Sequence, residues 1–227
     1  MTSYALIPAF NEQENIKEVI TRLRKHRDIK IIVIDDGSRD STPEIVKKLG
    51  VTLVRHEKNK GKGEAIKTGF QYISKKHPNA EYIFLIDADM QYPPEEVEKI
   101  FDPLDKGEAD YVTGCRIPNQ VPYANRMGNF GWRILFNLFF GTKLKDTNCG
   151  FVGMTREAMK KIKNIHGGYI IENSMLRDIV VSKLRIKQVP VRVVYGKRKV
   201  TKFAKMFFGV MIFIFVEGMK FRLGIKS

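Results

Sequence analysis

The chain has 227 residues, enough to bury one sizeable core, and nothing in its composition calls for a second. Forty Lys and Arg stand against 25 Asp and Glu, a formal charge of +15 that attracts polyanions of any kind: nucleic acid, phospholipid head groups, sugar nucleotides or lipid phosphates. Cys115 and Cys149 form no metal-spaced pair and the four histidines are dispersed, so a reduced, cytosolic setting is expected.

The apolar start at residues 4–10 lacks a basic leader and runs at once into Asn11-Glu12, which argues against a signal peptide. Residues 4–9 read as a strand, 11–26 as a helix and 29–35 as a second strand. Ser41 and Glu44 have the spacing of a capping box that opens the next helix, with Pro43 tolerated in its first turn. A short strand is expected at 51–55, a helix at 64–76, a strand at 82–86, a helix opening at 93–101 and a fifth strand at 110–114. This alternation predicts an α/β fold, a mostly parallel sheet with helices on both faces. No internal repeat, low-complexity tract or linker interrupts it.

The second half changes character. Residues 126–144 gather Phe130, Trp132, Ile134, Leu135, Phe136, Leu138, Phe139 and Phe140, with Arg126, Arg133 and Lys143 among them. Two readings stand: a core helix, or a lipid-facing helix whose arginines reach head-group phosphates. The most apolar run, 206–216, falls short of the ~20 residues that a spanning helix needs. Widened to 203–225 it carries Lys205, Glu217, Lys220 and Arg222, so an interfacial helix fits better. The expected organisation is one domain over 1–200 and an apolar, basic-flanked, membrane-associating tail over 201–227.

Three strand-end turns carry polar groups on the side where open α/β sheets bind ligands. They are Ile7-Pro8-Ala9-Phe10-Asn11-Glu12, Ile34-Asp35-Asp36-Gly37-Ser38 and Asp87-Ala88-Asp89 with Gln91 beyond. Each alone can be an Asx turn or a helix cap; at one sheet edge they form a crevice of carboxylates and backbone donors. Two carboxylates one residue apart, Asp87 and Asp89, suit a hard divalent cation, Mg2+ or Mn2+, held against a diphosphate. The turn Asn59-Lys60-Gly61-Lys62-Gly63 enters a helix and lets backbone approach an anion, yet it matches neither the Walker A nor the dinucleotide-binding glycine pattern.

In order and spacing, Pro8-Ala9-Phe10-Asn11-Glu12, Asp35-Asp36-Gly37-Ser38, Gly61-Lys62-Gly63 and Asp87-Ala88-Asp89-x-Gln91 resemble family 2 glycosyltransferases with the GT-A (Rossmann-like) fold, over roughly residues 4–155. Gln91 and Asp146-Thr147-Asn148-Cys149-Gly150-Phe151 resemble the branch that includes dolichyl-phosphate mannose synthase and other polyprenyl-phosphate sugar transferases; the stretch through Gly168, Glu172 and Val189-Pro190-Val191 is similar but looser. The resemblance implies that Pro8, Phe10, Glu12, Ile34 and Asp36 hold the base and ribose, with Gly63 in the same nucleotide-binding set. Asp87, Ala88, Asp89 and Gln91 are implied around the diphosphate, with Asp87, Asp89 and Gln91 as metal ligands. Arg116 and Arg126 match basic positions near the transferred phosphates. Arg198 and Lys202 stand for an acceptor-phosphate pair, although Lys197-Arg198-Lys199 and Thr201-Lys202 depart from the usual arginine and Ser-Lys arrangement. From 183 to 205 there are nine basic residues and no acidic one, a strip that is either solvated or faces lipid phosphates.

The implied activity is metal-dependent, inverting transfer of one sugar from a nucleotide-sugar to a polyprenyl (dolichyl) phosphate at the cytoplasmic membrane face. GDP-mannose is the first choice of donor, with UDP-glucose and UDP-N-acetylglucosamine next. A lipid phosphate is already anionic near neutral pH and needs no strong base. Asp146 is therefore the base if the acceptor is a hydroxyl; for a lipid phosphate it orients the acceptor site or a basic side chain. Relatives of this branch often carry further transmembrane helices, and the sequence stops at Ser227, which leaves a partner membrane protein or peripheral docking. A processive polymer synthase is not expected, because Trp132 lies in Gly131-Trp132-Arg133 and not in Gln-x-x-Arg-Trp. A basic membrane- or nucleic-acid-binding module without catalysis explains the charge but not the acidic turns, since carboxylates repel a polyanion unless a metal intervenes. No nucleic-acid partner is expected.

Overall fold

The computed structural model describes residues 2–26, 28–121, 123–194 and 203–225. One sheet contains β1 (Ser3–Ala9), β2 (Ile29–Asp35), β3 (Thr52–Arg55), β4 (Tyr82–Leu85), β5 (Tyr111–Arg116), β6 (Val152–Thr155) and β7 (Ile186–Val191), in the order β3-β2-β1-β4-β6-β5-β7. Around it lie α1 (Ile16–His26), α2 (Thr42–Lys48), α3 (Lys62–Lys76), α4 (Val97–Asp105), α5 (Tyr123–Phe140), α6 (Arg156–Lys161), α7 (Ile171–Val181) and α8 (Phe203–Arg222).

The sheet is mostly parallel, as the alternation predicts, with one exception. β6 runs antiparallel to both β4 and β5. The chain leaves β5 at its carboxyl end, forms α5, and returns past Gly150 beside Asp87 at the carboxyl end of β4. Entering the gap from that edge, β6 can only run against its neighbours. β1 is apolar nearly throughout, as suits a strand covered on both faces. Its successive side chains feed two apolar layers: Leu6 joins Ile34, Ile66 and Ile83, while Ile7 joins Ile20, Val33 and Phe101.

Two local expectations differ from what forms. α1 starts at Ile16 and not at Asn11, because residues 11–13 are bound elsewhere: the Glu12 and Gln13 amides donate to Thr42 Oγ1 and Asp40 Oδ2. The Ser41 side chain makes no capping bond at α2. Asp40 satisfies that end, its Oδ1 accepting from the Thr42 amide at 3.0 Å and the Thr42 hydroxyl at 2.6 Å.

α5 and α8 pack against each other and into the core. Trp132, Phe136, Val210 and Ile214 are buried together, the Trp132 ring donates to the Phe207 carbonyl, and Arg222 donates to the carbonyl of Phe139. Their other sides remain apolar and exposed: Met127, Phe130, Ile134 and Leu138 on α5, and Phe208, Ile212, Phe215 and Met219 on α8. The spacing gives each helix one outward stripe. The core reading of residues 126–144 describes one face of α5, and the other face is apolar and exposed. Among the described residues no helix is long and apolar enough to cross a membrane.

Candidate active site

The carboxyl ends of β1, β2 and β4 open into a cavity of about 320 Å³. Pro8, Phe10, Glu12, Asp36, Asp87, Ala88 and Asp89 all line it, joined by Asn59 and Lys62. Two turns are stitched together at its floor. The Asp36 amide donates to the Ala9 carbonyl at 2.8 Å, the Asn11 amide to Ser38 Oγ at 2.9 Å and the Arg39 amide to Asn11 Oδ1 at 2.9 Å. Asn11 takes a positive φ of 55°, a conformation that asparagine tolerates, and this turns the chain so that Glu12 is buried beside the crevice.

Asp36 is a structural clamp as well as a cavity wall. Its Oδ1 accepts from the Lys60 amide at 2.9 Å and lies 2.7 Å from His56 Nδ1, while Oδ2 accepts from the Gly61 amide at 2.7 Å. His56 Nε2 in turn lies 2.9 Å from Thr68 Oγ1 on α3. The glycine-rich turn is thus fixed from below. Gly37 is required there by space as well as by its φ of 76°, since a Cβ would meet the Lys58 and Asn59 backbone at 2.7–2.8 Å.

The acidic turn carries the strongest charge arrangement. Lys62, at the first turn of α3, places Nζ 2.7 Å from Asp87 Oδ1 and 3.4 Å from Glu172 Oε1. Burial alone pulls the Lys62 pKa down, but Asp87 and Glu172 outweigh it and the ammonium is held above its usual range. The Asp89 pKa is raised, by burial first and then by Asp87 and Glu12, against the Gln91 amide, which donates to Asp89 Oδ1 at 3.1 Å. Carboxylates thus converge with more negative charge than Lys62 offsets. Among the described residues no three His, Cys, Asp or Glu side chains form a closed metal cluster. The fit to a divalent ion lies in the chemistry of Asp87 and Asp89: hard oxygens, crowded by like charge, on an open cavity.

At the last residue of β5 the Arg116 guanidinium grips Asp146 in a bidentate pair, Nε to Oδ2 at 2.7 Å and Nη2 to Oδ1 at 2.8 Å, with both side chains nearly buried. The Asn148 amide also donates to Asp146 Oδ1. Burial pushes the Asp146 pKa up, yet Arg116 and the amides more than reverse this, so it lies below the usual aspartate value. Such a carboxylate is a poor proton acceptor. Both of its oxygens are engaged by Arg116 and the Asn148 amide, the kind of contact that the orienting alternative calls for.

Some expected residues lie elsewhere. Ile34 is fully buried in the core and does not line the cavity, because it lies inside β2, a strand covered on both faces, two residues before the turn that reaches the cavity. Gly63 sits inside the first turn of α3, where a Cβ would lie 3.3 Å from Gly167 Cα, so close packing against the 166–167 backbone explains this glycine. Gln91 is not part of the cavity lining, though it adjoins it: its amide donates to Asp89 Oδ1 and its carbonyl accepts from the Val194 amide at 2.8 Å. Arg126 is exposed at the start of α5, outside the cavity lining. Arg198 and Lys202 lie outside the described residues. Sequence reasoning missed the pairing of Lys62 with Asp87 and Glu172, and the tight seat of Gly150, whose Cβ would lie 3.1 Å from Asp87 Oδ2. The charged residue inside Gly61-Lys62-Gly63 was the available signal for the first; Glu172, 110 residues away, had none locally.

The chain matches Glycosyl transferase family 2 over residues 4–163. It is 29% identical over 234 residues to UDP-N-acetylglucosamine–dolichyl-phosphate N-acetylglucosaminyltransferase of Methanococcus voltae, covering 92% of each chain. Dolichol-phosphate mannosyltransferase of Pyrococcus furiosus is 27% identical over 207 residues, 85% of this chain and 56% of the relative. Glucosyl-3-phosphoglycerate synthase from Mycobacterium tuberculosis superposes with a TM-score of 0.79 at 22% identity, over 100% of this chain and 81% of that one, a likeness of fold. With its mostly parallel sheet and a crevice at the strands' carboxyl ends, the chain belongs to glycosyl transferase family 2 and is a glycosyltransferase of GT-A fold.

Proposed function

We propose that the protein transfers one sugar from a nucleotide-sugar to a polyprenyl (dolichyl) phosphate at the cytoplasmic face of a membrane. The observation that carries this is the crowding of Glu12, Asp87 and Asp89 around Lys62 in one open cavity, an arrangement suited to a diphosphate and its counter-ion. The acceptor class is supported by the names of the Methanococcus voltae and Pyrococcus furiosus relatives, both dolichyl-phosphate enzymes. The first of these extends over nearly all of both chains, which favours UDP-N-acetylglucosamine over the GDP-mannose that the resemblance first suggested.

In this reading Pro8, Phe10, Glu12, Asp36 and Ala88 enclose the nucleotide, while Asp87 and Asp89, with Gln91, hold a Mg2+ or Mn2+ ion. When bound, that ion offsets charge growing on the leaving diphosphate. The bond from the anomeric carbon to the diphosphate oxygen breaks, and the nucleoside diphosphate leaves with the electron pair. An anionic oxygen of the lipid phosphate forms the new bond from the opposite face, which inverts the anomeric configuration and requires no proton acceptor. Asp146 holds the Arg116 guanidinium in place, and Arg116 is assigned to the transferred phosphates. Arg126, Arg198 and Lys202 are assigned to the acceptor phosphate. Residues 1–200 carry the catalytic part, and 201–227 supply a membrane-associating helix.

The test is a donor screen with a short-chain polyprenyl phosphate in the presence of Mn2+, scored as lipid-linked sugar. UDP-N-acetylglucosamine, UDP-glucose and GDP-mannose are compared, and one of them gives product that disappears in Asp89→Ala. Sugar transfer to water-soluble hydroxyl acceptors alone would refute the lipid-phosphate assignment.

A further inference from the structure

The Lys62 ammonium already occupies one of the oxygens assigned above to a divalent ion. Nζ lies 2.7 Å from Asp87 Oδ1, and Glu172 Oε1 holds it from the other side at 3.4 Å. The Gly150 backbone passes close by, for a Cβ there would stand 3.4 Å from both Lys62 Nζ and Glu172 Oε1. An ammonium in contact with Asp87 repels an incoming dication, since like charges at contact distance oppose each other more strongly at a partly buried site than in bulk water.

Lys62 is also built to let go. It lines the nucleotide cavity, and its side chain is 34% exposed there. Its backbone lies between Gly61, at a φ of 94°, and Gly63, on the opening turn of α3. Phosphate oxygens can approach such a turn closely. A lysine is a point charge on a flexible stem and moves between partners more readily than a forked guanidinium.

We propose that Lys62 is a resident counter-ion that keeps divalent cations off Asp87 until a nucleoside diphosphate draws the ammonium away, so that metal and donor enter as a pair. The inference rests on the reading of Asp87 as a metal ligand. It makes metal and nucleotide binding cooperative, each tightening the other by the same factor.

The test measures Mn2+ binding to the full chain by electron paramagnetic resonance, alone and with saturating UDP or GDP, together with a melting curve for each variant. Wild type should bind Mn2+ weakly alone and tightly with a nucleotide. Lys62→Met should bind Mn2+ alone about tenfold more tightly than wild type, with a smaller gain from nucleotide, because the competing charge is gone. Lys62→Arg keeps the charge and should keep the weak binding. Lys62→Gln replaces the methionine variant if the latter does not melt cooperatively. Unchanged or weaker Mn2+ binding in the neutral variants overturns the gating role, as does Mn2+ binding to wild type that is indifferent to nucleotide. If wild type binds no Mn2+ even with either nucleotide, the metal reading falls together with the gate.

Discussion

Asp146 and Asp89 are perturbed in opposite directions, and the two signs make opposite predictions. For Asp146 the folded pKa lies below the ordinary 3.8, so its contribution to stability is complete above that value and is lost as pH falls through the folded pKa. Asp146→Asn leaves Arg116 buried without its partner and should cost about 3–5 kcal/mol at pH 7 in urea melts, a gap that narrows below pH 4. Turnover should fall, but the pH–rate profile should keep its shape, since no general base has been removed; a lost limb would restore Asp146 as the base. For Asp89 the folded pKa is raised, so stability is greatest below the unfolded value and is lost as pH rises through the folded one. Asp89→Asn should therefore melt higher than wild type without metal, by on the order of 2 °C, while losing transfer activity. A lower melting temperature would mean that the carboxylate is needed for folding.

Most of the cavity wall was legible at this scale. Pro8 is near the end of β1, and Phe10, Glu12, Asp36, Asp87, Ala88 and Asp89 come within four residues of the end of an apolar strand, so their place at the sheet edge comes with the strand. Ile34 shows where that logic stops: it stands inside β2, which is covered on both faces, and its side chain is in the core while the cavity wall begins only at Asp36. Long-range partners such as Glu172 leave no local trace.

Among the elements, α5 and α8 depend on close approach. A Cβ on Gly218 would lie 2.4 Å from Phe139 Cβ, an atom that cannot swing aside. Gly218→Ala should force the helices apart and cost about 1–3 kcal/mol, measured by thermal melting. The exposed stripe offers a separate test. Phe208 and Ile212, each 63% exposed, contribute little to the core. Replacing both by glutamine should leave melting nearly unchanged and weaken flotation with anionic liposomes at least about tenfold, since burying each side chain is worth roughly 1.5–3 kcal/mol. Equal flotation would remove α8 from the membrane contact.

Helix existence was easy to read here, because apolar density over residues 123–140 and 203–222 exceeds what a loop carries. Starts and directions were harder. The capping pattern at Ser41 and Glu44 was outcompeted by Asp40, and the antiparallel β6 follows from the edge at which the chain re-enters the sheet.

Across the whole molecule, a charge of +15 coexists with an acidic crevice and two outward apolar stripes. Under the proposed function, that separation serves both the attraction to an anionic surface and the holding of a cation in the crevice. Liposome association should weaken as salt rises, because exposed charges are screened beyond about 8–10 Å near physiological ionic strength, whereas the buried Arg116–Asp146 pair should be nearly indifferent to it. The α/β architecture was visible from the alternation of strands and helices. The shared cavity was expected from three strand ends on one side of a sheet; the lysine within it required the fold.

A crystal of the full chain soaked with UDP-N-acetylglucosamine and Mn2+ examines the acidic turn itself. Density for the ion bridging Asp89 and the diphosphate, with the Lys62 ammonium shifted from Asp87 onto a phosphate oxygen, is the expected result. A bound nucleotide with no ion at that turn, and Lys62 still on Asp87, would contradict it.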